Sequence, residues 1–434
     1  MVVTWTDLAR AAFVTVLSTQ RTNGLWFRPT NAFDAKFTFA PPGTDEYKLR
    51  SDEAFGYGSI TMTWWALKSL TSTIVLQPTF LGSVIDAVQS YRAQNGAYGT
   101  PTGGWQAARK VNESARHTAM GILLLFEFGS RLDPRPSPEL FEQSADWLLN
   151  TSFPEGGWPY QESNRADGPE PMSTASAIRA LWEYRNTYRT TKAAGKLAEI
   201  DTKVKLALNW LVSSMKGGRW QTVHPEFDTV DTCFILELLC IANSQKPFQD
   251  EQLTSSDLVG ELVRRFLESR RDGIWTDNAE RTEFTIYSAV SALCFLSQWV
   301  PRSQFNPDDL EFQIRKRIEE KAVTDFMGTW DWCALLRLAS TRSASAETVI
   351  NYGQLFDEVQ GVRRLARAGK LTRADASFAP RLCQDAMLYS LSHGDLPGIP
   401  SGRWELRYRR LPWWFQFILI PLLIALIAEL SMRL

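Results

Sequence analysis

HTAMGILLLF (117–126), STASAIRALW (173–182), DTCFILELLC (231–240) and YSAVSALCFL (287–296) align without gaps over ten residues. Their second positions are Thr118, Thr174, Thr232 and Ser288, spaced 56, 58 and 56 residues apart. A fixed period of that length marks a repeat architecture, in which each unit buries its apolar face against the next. Thr61, in SITMTWWALKSL, stands 57 residues before Thr118 and starts an earlier copy. DWCALLRL (331–338) matches DTCFILEL but follows its predecessor by only 44 residues, so that copy has a shortened loop.

A Gly-Trp loop precedes the copies: NGLW (23–26), GGW (103–105), EGGWPY (155–160), GGRW (217–220) and DGIW (272–275). Before these loops lie stretches such as LFEQSADWLLN, TKVKLALNWLVSSM and LVGELVRRFLESR, whose apolar residues recur at three and four, the helical period. Glycine ends such a helix easily because it accepts a left-handed backbone, and the tryptophan can wedge between layers. The second helix of each pair is apolar nearly all round, so it belongs in the interior. The pattern predicts outer helices near 5–20, 80–95, 137–150, 201–215, 256–270 and 308–324, and inner helices near 60–70, 117–128, 173–186, 231–242, 286–299 and 331–340.

The expected fold is therefore all-α: an α/α toroid of about six helical hairpins over residues 1–340. An open solenoid fits the same periodicity, but six copies with buried inner helices favour closure. Residues 341–402 read as a helical cap or linker, and 403–434 as a basic juxtamembrane segment followed by a transmembrane helix.

The 434 residues carry 47 Lys+Arg against 48 Asp+Glu, a net charge of −1, which gives no general basic face for nucleic acid. Mean hydropathy is −0.22, an average that hides the end of the chain. From Leu411 to Ala428 there is no charged side chain, and Trp413 and Trp414 sit where an interfacial aromatic belt would lie. Eighteen helical residues span about 27 Å, short of but compatible with a hydrocarbon core of roughly 30 Å. Arg403, Arg407, Arg409 and Arg410 precede the segment and only Arg433 follows it, which predicts a C-terminal single-pass anchor with the N-terminal part cytoplasmic. The basic flank favours anionic lipid, so the bilayer is the expected partner. Cys233, Cys240, Cys294, Cys333 and Cys383 are odd in number and sit in apolar helical stretches, as reduced intracellular thiols do.

DWLLNTSFPEGGW (146–158) and RFLESRRDGIW (265–275) resemble the Gln-Trp repeat of squalene–hopene cyclases and other triterpene cyclases, and STASAIRAL and DTCFILELL resemble the segments that follow it. The same toroid is shared by protein prenyltransferase β subunits. The motif's glutamine is absent; Ser152 and Arg270 or Arg271 stand near its place. The resemblance implies an isoprenoid-type ligand, held or transformed near the bilayer. Class II cyclases protonate an alkene with the middle acid of Asp-x-Asp-Asp, and the matching stretch here is Asp228-Thr229-Val230-Asp231-Thr232. Val230 occupies the donor's position, which argues against that chemistry, as does a chain long enough for one barrel where the family's site lies between two. Prenyltransferases bind zinc through Asp-x-Cys and a distant His, a pattern matched locally by Asp331, Cys333 and His393.

In such a toroid the inner-helix N-termini converge on the cavity mouth. Asp231, Asp228 and Glu283 are the candidate catalytic acids, with Asp231 first and Asp228 in support. Arg116, His117 and Arg281 are candidates to hold a diphosphate at the positive helix ends, beside Trp64, Trp65, Tyr287 and Trp332 as an aromatic wall. Helix capping and ordinary barrel filling explain the same residues. Two other functions fit the pattern: a non-catalytic toroid acting as a scaffold or sensor for a protein partner, and a glycan-processing barrel using Asp231 and Glu283.

Overall fold

The computed structural model describes residues 5–18, 20, 25–26, 60–90, 92–94, 101–105, 113–160, 162–190, 192, 194–222, 228–245, 256–270, 275, 286–320, 329–343 and 350–367. In chain order its helices are α1 (Trp5–Ser18), α2 (Ile60–Thr71), α3 (Pro78–Gln89), α4 (Ala115–Glu127), α5 (Pro138–Thr151), α6 (Pro171–Tyr188), α7 (Ala194–Ser214), α8 (Asp228–Gln245), α9 (Ser256–Glu268), α10 (Ile286–Trp299), α11 (Pro307–Glu320), α12 (Thr329–Ser343) and α13 (Tyr352–Arg367). The GGW stretch 103–105 is not a simple helix-ending loop: it lies in β2 (Pro101–Trp105), which pairs antiparallel with β1 (Arg92–Gln94).

The inner helices close. α2 packs on α4, α4 on α6, α6 on α8, α8 on α10, α10 on α12, and α12 returns to α2. That ring excludes the open solenoid. α1 packs against α12 and α2 and so covers the seam between the last and first inner helices. At the same seam the Ser69 hydroxyl shares its proton between the Cys333 carbonyl at 2.9 Å and the Trp65 carbonyl at 2.8 Å. The even-numbered helices from α2 to α12 form the inner layer. α5, α7, α9 and α11 stand outside them, and α13 packs on α1, with its Phe356 ring 5.1 Å from Phe80. The sequence explains the two layers. Every residue of α4 from Ala115 to Leu125 is buried. On α9 Val259, Leu262, Val263 and Phe266 are buried, with Leu258 and Leu267 packed at the edge of the core, while Glu261 and Arg264 pair on the outer face.

In four loops a tryptophan ties down the outer helix before it, and in three of them it also reaches the inner partner. The Trp158 indole Nε1 donates to the Leu148 carbonyl at 2.6 Å, and its backbone N–H donates to the Thr174 hydroxyl at 3.1 Å. Trp220 repeats this with Leu211 (2.7 Å) and Thr232 (3.0 Å), and Trp26 with Val16 (2.6 Å) and Thr63 (3.1 Å). In the fourth such loop Trp275 donates to Phe266 at 3.1 Å. These rings are fully buried. The repeated Thr is therefore an acceptor for a loop N–H that burial would otherwise leave unpaired.

This bond corrects the register of the first copy. Thr63, not Thr61, accepts from Trp26, so the first inner helix aligns two residues later than sequence similarity suggests. The Thr61 hydroxyl is buried without a hydrogen-bond partner among the described residues.

The glycine two residues before the tryptophan does more than end a helix. Gly156 (φ +107°) and Gly218 (φ +80°) lie so close to the next outer helix that a Cβ would stand 2.5 Å from the Leu206 carbonyl oxygen and 2.2 Å from that of Arg265. Arg165 and Arg219 then cap outer-helix C-termini, donating to the Thr151 carbonyl at 2.9 Å and the Ser269 carbonyl at 3.0 Å. Among the described residues no helix is long and apolar enough to cross a membrane. The predicted transmembrane stretch within 403–434 lies outside the described residues.

Candidate ligand site

The N-termini of α4, α6 and α8 meet at one end of the ring and bring four charged side chains together: Arg116, Glu170, Asp228 and Asp231, all buried. Glu170 is committed to capping α6, accepting from the Met172 N–H (3.2 Å), the Ser173 N–H (2.6 Å) and the Ser173 hydroxyl (2.5 Å). Asp228 accepts from the Thr222 N–H at 2.9 Å and the Thr222 hydroxyl at 3.1 Å. Burial nevertheless pushes its carboxyl up to about 6, against those two bonds.

Asp231 is 2% exposed and reaches Arg116 Nη2 through Oδ1 at 3.4 Å. Its Oδ2 has no hydrogen-bond partner among the described residues. Burial is the largest cause holding its carboxyl up at about 7; Arg116 opposes this, while the charges of Glu170 and Asp228 add to it. The two aspartates thus share one helix entrance, as their spacing predicts. His117 lies beside them with its ring 6.3 Å from that of Tyr160, and its N–H donates to Ser114 Oγ at 3.4 Å. Burial also raises the Tyr160 phenol.

Asp231 engages the Arg116 guanidinium, and Glu170 and Asp228 lie near that carboxyl, so a diphosphate at Arg116 would compete with Asp231 for the guanidinium. Glu283 and Arg281 lie outside the described residues, as does His393; the side chains of Tyr287 and Asp331 are likewise not described. Cys333 is buried, and its carbonyl serves ring closure. Among the described residues no three potential ligands come together to hold a metal ion, and the zinc set of Asp331, Cys333 and His393 lies partly outside them.

Deeper in the ring, Trp64 and Trp65 stand edge to face with centroids 4.9 Å apart, and Trp64 meets Phe234 at 6.3 Å. Trp332 is buried in the first turn of α12. A cavity of about 40 Å³ opens among Trp65, Val230, Phe234, Glu237, Cys294 and Arg337. Val230, in the position of the missing acid, therefore faces the cavity with an apolar side chain.

Motif reasoning on the sequence does not single out Arg179, Phe234, Glu237 or Arg337. A signal for the charged ones exists in the repeat itself. With Thr63 aligned to Thr118, Thr174, Thr232, Ser288 and Trp332, the residue five places on is Lys68, Leu123, Arg179, Glu237, Leu293 and Arg337. Each of the four charged ones stands beside apolar neighbours on an inner helix, such as Ile178 and Ala180 around Arg179 or Leu336 and Leu338 around Arg337, a placement that needs a local reason.

The ring closes like that of a known enzyme class. The fold is similar to that of a type II terpene cyclase. A point variant of the cyclase MstE from Scytonema, solved with its substrate geranylgeranyl dihydroxybenzoate, matches over 78% of this chain and 97% of its own, at 12% identity and a TM-score of 0.50. The ent-copalyl diphosphate synthase from Streptomyces platensis matches 66% of this chain at 14% identity and a TM-score of 0.44, and this chain spans about half (50%) of its length. No protein-family model matches the sequence, and no curated protein matches it. The MstE likeness corrects one expectation: a type II cyclase is matched over nearly its whole length by a single barrel, so one-barrel size does not separate this chain from that class.

Proposed function

We propose that the barrel binds an isoprenoid-type ligand in its interior and does so without class II alkene protonation. The observation that carries the reading is the closed ring around Trp64, Trp65 and Phe234, in a fold similar to one solved with a geranylgeranyl compound. Aromatic faces suit both a polyene and a developing cation. Val230 supplies no proton, and a carboxyl held at about 7, like that of Asp231, is too weak an acid to protonate a carbon–carbon double bond. If the ligand is transformed, Asp231 is the candidate acid or base for an oxygen-bearing group, with Asp228 beside it.

A prenyl chain needs a pocket of some hundreds of Å³ (about 300 or more), so the chain must open the interior beyond the small cavity that Trp65 lines. Titration of the full chain with geranylgeraniol should therefore change tryptophan fluorescence saturably, and Phe234→Ala should shift the midpoint at least several-fold. No response to any isoprenoid alcohol, diphosphate or carboxylate would leave the toroid as a scaffold. The segment 411–428 supports the second part of the reading, a bilayer anchor that keeps the barrel near its ligand. Flotation of the full chain with anionic liposomes tests it; the double variant Leu419→Arg, Leu423→Arg should stay at the bottom of the gradient.

A further inference from the structure

The four charged positions at one register of the inner helices have unequal partners. Lys68 is neutralised: its Nζ donates to Glu127 Oε1 at 2.6 Å, and the Trp64 indole donates to Glu127 Oε2 at 3.2 Å. Arg179 and Arg337 have no carboxylate within salt-bridge distance among the described residues. The Arg179 guanidinium lies 5.7 Å from the Trp64 ring and 5.4 Å from the Phe234 ring, and Arg337 lies 5.4 Å from Trp65. One acid, Glu237, shares the register and lines the cavity with Arg337. Arg337 lines the cavity and Arg179 lies against the Phe234 ring that also lines it, so two guanidinium groups stand near one carboxylate and leave a positive remainder.

We infer that Arg179 and Arg337 form the headgroup site for an anion carried on an apolar body, with the Trp64–Trp65–Phe234 cluster as the floor beneath it. This rests on the barrel being a ligand-binding interior, and adds which end of the ligand is read and by what. A guanidinium stacked on a ring keeps its in-plane N–H groups free, and that edge matches a carboxylate or phosphate with two parallel hydrogen bonds. The cavity of about 40 Å³ holds about three waters' worth of probe volume, the size of such a head rather than of a chain. Glu237 lies six residues along α8 from Asp231, about 9 Å by helical rise, so a headgroup at the arginines would leave the acid cluster to the ligand's other parts.

The test compares ligands with one C20 chain and three heads: geranylgeraniol, geranylgeranyl diphosphate and the corresponding isoprenoid carboxylate. Inorganic diphosphate serves as a chainless control. Binding to the full-length protein is read by tryptophan fluorescence and calorimetry. At least one anionic ligand should bind ten-fold or more tighter than the alcohol, and whichever does so identifies the head. Arg337→Gln and Arg179→Gln should each abolish that preference, and Arg337→Lys should retain part of it. Equal affinity for alcohol and anions, or an undiminished preference in both glutamine variants, overturns the headgroup site but not the isoprenoid reading. Failure of all C20 ligands overturns both. Tight binding of inorganic diphosphate alone would overturn the apolar-body requirement. Circular dichroism and melting of each variant separate lost binding from lost fold.

Discussion

The Ser69 hydroxyl shares its proton between the Cys333 carbonyl oxygen at 2.9 Å and the Trp65 carbonyl of its own helix at 2.8 Å, linking the first inner helix to the last across 264 residues of chain. This bond, with α1 packed over the same seam, turns a stack of hairpins into a ring. A buried neutral hydrogen bond contributes about 0.5–1.5 kcal/mol, and more is lost when its partner stays buried and unpaired. Ser69→Ala should lower stability by about 1 kcal/mol in urea unfolding, whereas Ser83→Ala, on exposed α3, should stay within ~0.5 kcal/mol.

Trp158 should be among the most sensitive positions in the chain. Its ring is fully buried and both of its N–H groups are used. Trp158→Ala is expected to cost about 3–5 kcal/mol from the cavity alone. Thr174→Val keeps the shape but leaves the Trp158 N–H unpaired, at about 1–3 kcal/mol. Denaturant midpoints of the two variants give the comparison; equal, negligible losses would mean that the clamp carries no weight.

Two adjacent glycines separate backbone strain from contact. At Gly217 (φ +55°) a Cβ would meet nothing within 4 Å, while at Gly218 it would stand 2.2 Å from the Arg265 carbonyl oxygen. Gly217→Ala should cost about 1–2 kcal/mol, the left-handed penalty of an L-residue. Gly218→Ala must also push α9 away from the loop, and its melting temperature should fall clearly further.

Asp231 makes stability depend on pH in an unusual direction. Its carboxyl stands at about 7 in the folded chain against an ordinary 3.8, so between those values the folded state keeps a proton that the unfolded state has released. Stability is then fully present below about 4, falls as pH rises towards 7, and changes little beyond. Asp228, held at about 6, acts in the same sense over a narrower window. The change in urea midpoint between pH 4.5 and 7.5 should be smaller in Asp231→Asn than in the wild type; an identical change would remove Asp231 as its source.

The toroid is legible in the sequence because its determinants are local and repeated. Thr174 and Thr232 recur because each accepts a loop N–H at the head of its inner helix, and Trp158 and Trp220 recur because their indoles tie down the outer helices before them. The pairing of Asp228 with Asp231 is legible too, since three residues along a helix keep two side chains on one face. The role of Arg116 is not: a cation at a helix entrance reads as an anion site until a carboxylate from another helix, 115 residues away, is seen to claim it.

Periodicity alone determined the helices, their two layers and the Gly-Trp connections, because burial and helical pitch act within one repeat. Tertiary structure alone decided closure, the register of the first copy and the surroundings of Arg179 and Arg337. Those depend on which inner helices meet across the ring. A charge in an apolar helix takes its meaning from neighbours that sequence spacing does not reveal.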